Sequence, residues 1–134
     1  LHGEAVGCGM VMAARLSAAL GMVDAAFAER LVMLVAAAGL PVKGPVLDPI
    51  DNAGRYLALM RLDKKAQAGA ITFVLIDGPG RAVMREAPEA VVREVIDFCC
   101  AANSLHTSAW ALSSSAFRPN IAACVAESIA ERGI

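Results

Sequence analysis

The alternation of apolar and polar positions lays out four helices, one hairpin and a tail of different character. From Glu4 to Leu20, apolar and small residues run almost all round the helical circumference, interrupted chiefly by Arg15 and Ser17. A helix that is apolar on every side is buried on most of them, so this segment is expected to be largely buried, with Gly21 as its stop. Gly7 and Gly9 each weaken helix propensity by about 1 kcal/mol relative to alanine, which points to close approach of another backbone or a ligand. A second helix is capped by Asp24, carries Phe27, Leu31, Leu34 and Val35 as its apolar stripe, and is ended by Gly39 and Pro41. The segment from Pro41 to Pro49 is a loop. Asp48 is the expected N-cap of a third helix, with Pro49 at its first position. Ile50, Leu57 and Met60 mark its apolar side, and Asp63-Lys64-Lys65 its polar C-terminal end.

The period then changes. Ala70 to Ile76 is rich in β-branched and aromatic residues, Asp77-Gly78-Pro79-Gly80 is a strong turn, and Arg81 to Arg85 returns as a second strand. A fourth helix runs from Pro88 to about Ala102, with Val91, Val92, Val95, Ile96 and Cys99 on one face. After Asn103 the chain turns rich in serine and alanine. One short amphipathic helix is expected there, with Ile121, Cys124, Val125 and Ile129 on one side. The predicted fold is mainly α with one short hairpin, about residues 70–85. Residues 1–102 form the helical domain, and 103–134 an unassigned tail.

Composition sharpens this. Of the 134 residues, 57% are hydrophobic but only 4% aromatic, a mixture that favours close helix packing over a β-sandwich. A net charge of −1, with both signs interspersed, leaves no electrostatic footprint for nucleic acid or an anionic membrane. Charged residues cut the first third into short apolar runs. The longest stretch without charge, Phe98 to Phe117, carries five serines, Asn103, His106 and Thr107, so no membrane span is expected. No basic run leads into an apolar stretch of signal-peptide type. Cys8, Cys99, Cys100 and Cys124 form no CxxC pair, and read as small apolar residues of a reduced, cytoplasmic core.

Three places have residues able to do chemistry. His2 precedes the first helix, where an imidazole can point into a cleft as a ligand for zinc or cobalt. A lone histidine near a chain start is, as a rule, a surface residue. Lys64 and Lys65 complement the dipole at a helix end, or else reach a cleft to hold a phosphate or carboxylate. The turn Asp77–Arg81 lacks the strand-to-helix setting and the Lys-Ser/Thr pair of a phosphate loop and reads as a hairpin turn. The serines at 113–115 lack nucleophile-elbow glycines.

Taken together, HGEAVGCGMVMAARLSAALGMVD, AGLPVKGP and MRLDKKAQAGAITFVLIDGPGRAVM resemble the C-terminal domain of 3-dehydroquinate synthase, from Leu1 to about Cys100. The resemblance implies that His2 is the last of the metal-ligating residues and that Lys64 and Lys65 contact an anionic sugar phosphate. Glu4 belongs to the motif without being a ligand. It implies NAD and a divalent metal, zinc or cobalt, as cofactors. NAD transiently oxidises a hydroxyl of 3-deoxy-arabino-heptulosonate 7-phosphate, the metal polarises that hydroxyl, and 3-dehydroquinate and phosphate result. An NAD-binding domain is expected before Leu1, with the remaining ligands: a glutamate from that domain and a histidine from a GHTxGHA-like stretch. The piece alone is therefore expected to be inactive, and pairing as a homodimer stays open. Another sugar-phosphate cyclase or a glycerol-dehydrogenase-like oxidoreductase is the alternative within the class. A non-catalytic helical interaction domain is the alternative outside it.

Overall fold

The computed structural model of the protein describes residues 2–62 and 71–101. In chain order they form α1 (His2–Ala19), α2 (Ala25–Ala37), α3 (Asn52–Leu62), β1 (Thr72–Ile76), β2 (Ala82–Glu86) and α4 (Glu89–Cys100). The described architecture is mainly helical with one two-stranded antiparallel hairpin, as the periodicity predicts. The short helix expected around Ile121 to Ile129 lies outside the described residues, as does Cys124.

α4 folds as its pattern dictates. Val91, Val92, Val95, Ile96 and Cys99 recur at helical spacing, and all five are buried, with Cys100 beside them. Burying each valine or isoleucine side chain contributes roughly 1.5–3 kcal/mol. This face meets Leu16 of α1, Ala53 and Leu57 of α3, and Leu75 of β1 to form the core. α1 packs against α2, α4 and β1, while α3 packs against α4.

The hairpin pairs Thr72 with Glu86, Val74 with Met84 and Ile76 with Ala82. Asp77 N–H donates to the Arg81 carbonyl at 3.1 Å, and Arg81 N–H to that of Gly78 at 3.1 Å. The turn needs glycine at Gly78 and Gly80, whose φ values are 126° and 72°. Successive side chains alternate between faces. Leu75 is fully buried on the inner face, while Val74 and Met84 oppose each other outside, 60% and 76% exposed.

Several local expectations are corrected. α1 is not largely buried. Val11 and Ala14 to Ser17 are, but residues 2–6 are exposed, as are Gly9 and Met10. Gly7 does serve close approach: a Cβ there would stand 3.2 Å from Leu40 Cβ. At Gly9 nothing among the described residues lies within 4 Å. In α2 Asp24 caps as expected, accepting from Phe27 N–H at 2.6 Å, but the buried residues are Ala28 and Val35, and Leu34 is 62% exposed. Alanine takes the inner position because two helices approach more closely over a methyl group than over a leucine. The third helix also starts later than the Asp48-Pro49 pair suggests. Asp48 accepts from Ile50 and Asp51 N–H in a turn of its own, and Asp51 accepts from Gly54 N–H at 2.9 Å, the N-capping bond. Ile50 falls in the turn between the two aspartates and is 95% exposed.

The two polar residues that interrupt α1 are buried and partnered, one by an ion pair and one by hydrogen bonds. The Arg15 guanidinium pairs with Glu29 of α2 at 2.9 Å and sits 4.8 Å from the centroid of the Phe98 ring of α4. Charge pairing and the ring's quadrupole both favour that position. The Ser17 hydroxyl donates to the Ala13 carbonyl at 2.7 Å and accepts from Ile76 N–H at 2.8 Å. A helix back-bond thereby doubles as a tie to the end of β1. Arg15 and Ser17 join α1 to the other elements, where sequence alone suggests interruption.

Candidate metal and substrate site

α1 begins at His2. The imidazole is exposed, on the first turn of a helix whose other end is fixed in the core. Glu4 lies in the same turn, where a carboxylate is favoured by the helix dipole. Lys64 and Lys65 lie outside the described residues; α3 ends at Leu62 with Arg61 in its last turn.

The N-terminal half of α1 is held by the loop that follows α2. The Cys8 thiol donates towards the carbonyls of Lys43 and Pro41, at 3.0 and 3.3 Å. Gly44 N–H donates to the Cys99 carbonyl at 3.1 Å. The Lys43 ammonium donates to the Ala101 carbonyl at 3.2 Å, a cation at the negative end of α4. Tyr56 of α3 donates its hydroxyl proton to the Pro45 carbonyl at 2.9 Å. The loop therefore runs between α1, α3 and α4, and Gly44 is the residue that lets it through. A Cβ on Gly44 would stand 2.6 Å from Met12 Cε and 2.9 Å from both Cys100 Sγ and Tyr56 Oη. This clamp fixes the direction in which the first turn of α1 projects.

The thiols around it are structural. Burial pushes the Cys99 thiol up to about 12, and burial followed by the neighbouring Cys100 and Glu4 raises that of Cys8. Burial and then Cys100 also raise the Tyr56 phenol. Thiols held protonated are packing groups and weak donors, unlike the thiolates that attack substrates or bind metals. Cys8, Cys99 and Cys100 are free thiols, and the latter two are buried, as the cysteine pattern predicts.

Among the described residues no three His, Cys, Asp or Glu side chains stand close enough to share a metal ion. His2 offers one ligand, and a metal centre needs three or more. The described residues do not make up a complete metal site. Likewise the glycine-rich turn at Asp77–Arg81 joins two antiparallel strands and leads into no helix, so it provides no phosphate cradle of the P-loop kind. Among the described helices, none is long and apolar enough to cross a membrane.

Sequence reasoning missed the clamp. Cys8, Lys43, Gly44 and Tyr56 share no periodicity and come from three separate elements; the one signal was AGLPVKGP itself, which carries the resemblance but names no contact. It also missed Arg15 and Glu29, whose charges normally mark an outer face.

Comparison with known families gives a match to the model described as 3-dehydroquinate synthase C-terminal, over residues 1–66. The matched span takes in α1, α2, the clamping loop and α3, and reaches both lysines; the hairpin and α4 lie beyond it. Residues 1–66, with His2 at the head of the helix that the loop holds in place, are thus a segment of the 3-dehydroquinate synthase C-terminal family.

Proposed function

We propose that this chain is the metal- and substrate-handling half of a 3-dehydroquinate synthase. In this reading the complete enzyme converts 3-deoxy-arabino-heptulosonate 7-phosphate to 3-dehydroquinate and phosphate. The active site is completed by an NAD-binding domain and by metal ligands that the rest of the protein contributes. The family match over residues 1–66 carries the reading, because it spans both His2 and the lysine pair.

Each residue then has a chemical task. His2 supplies one neutral imidazole to a zinc or cobalt ion, and its exposure on the first turn of α1 leaves it accessible to ligands from another domain. Lys64 and Lys65 neutralise the phosphate of the substrate as point charges, which fixes its orientation and favours the charge that develops on the leaving group. Without NAD and the other ligands the chain alone is inactive.

The test joins this chain to a dinucleotide-binding domain of the same family and measures phosphate release. Turnover is expected only in the combined protein. Replacing Lys64 and Lys65 together by glutamine is expected to lower kcat/KM by about a hundredfold or more, the scale of losing a charge-stabilising group. Unchanged kcat/KM would remove the two lysines from substrate binding, whereas oxidation of an uncharged polyol without phosphate release would transfer the reading to a dehydrogenase.

A further inference from the structure

No further inference is drawn: the strongest candidate, the apolar groove of about 540 Å³ between the N-terminal half of α1, β1 and α4, lined in part by Val6, Met10, Met12, Met60, Phe73 and Val74, carries nothing because nothing in the structure shows what covers it.

Discussion

The two halves of α1 are made of similar residues and do opposite things. From Val11 to Ser17 the helix is an anchor. Val11, Ala14 and Leu16 are buried, Arg15 reaches α2 and α4, and Ser17 holds the end of β1. From His2 to Met10 most of the helix is exposed, although Val6, Cys8 and Met10 are as apolar as the residues that follow. The difference lies in the neighbours. The C-terminal half is buried among its neighbours, whereas the N-terminal half is held through Cys8, bonded to the loop after α2, and through Gly7, packed against Leu40 and Val35. A helix built this way holds its first turn steady without enclosing it, which is compatible with the ligand role proposed for His2.

The largest expected effect comes from breaking the anchor. Leu16→Ala removes a leucine that is 4% exposed and should cost about 2–5 kcal/mol in urea unfolding. Val6→Ala, at a position 45% exposed, should stay within about 0.5 kcal/mol. Equal losses at the two positions would erase the distinction between the halves.

Ser17→Ala is expected to cost about 1–3 kcal/mol, because it strands the Ile76 N–H without the oxygen that accepts from it. Hydrogen exchange at Ile76 should accelerate well before exchange within α4 does. A loss confined to α4 amides would contradict the role given to this hydroxyl.

A smaller effect tests the outer supports of the anchor. Arg93, and with it Arg61, holds the Glu89 carboxyl below its ordinary value of 4.5, tying α4 to α3. A carboxyl whose value is depressed on folding contributes stability that is complete above its unfolded value and is lost as pH falls through the folded one. The denaturation midpoint should therefore decline as pH drops below about 4.5, and Glu89→Gln should flatten that decline. The effect is modest because the pairs are exposed and screened. An unchanged acid slope in the variant would remove the ion pairs from the account.

These contrasts also show what can be read from the sequence. α4 is legible because its apolar residues repeat at helical spacing against charged ones, so one face has to turn inward. The hairpin is legible from its β-branched run and its turn glycines. α1 has no polar face to choose by, so its burial depends on which elements reach it, and that is tertiary information. Arg15 reads from sequence only as an interruption for the same reason: a charge goes inside only where a partner waits, and Glu29 and Phe98 arrive from other helices. Ile50 is misread because Asp48-Pro49 imitates a helix start that Asp51 actually makes. As for the candidate site, His2 has no distinguishing spacing of its own. Only the family resemblance proposes a role for it, because no set of ligands gathers around it among the described residues.

The central claim is that His2 is a metal ligand presented by a helix anchored elsewhere. It is tested most directly by His2→Ala in the combined protein, reading bound zinc or cobalt by metal analysis and the thermal midpoint in the presence of chelator. The account predicts that bound metal and turnover are lost while the chelated midpoint stays unchanged, because the substitution is at an exposed first-turn position. Full metal content and undiminished turnover in the variant would contradict it and leave the chain as a helical packing domain.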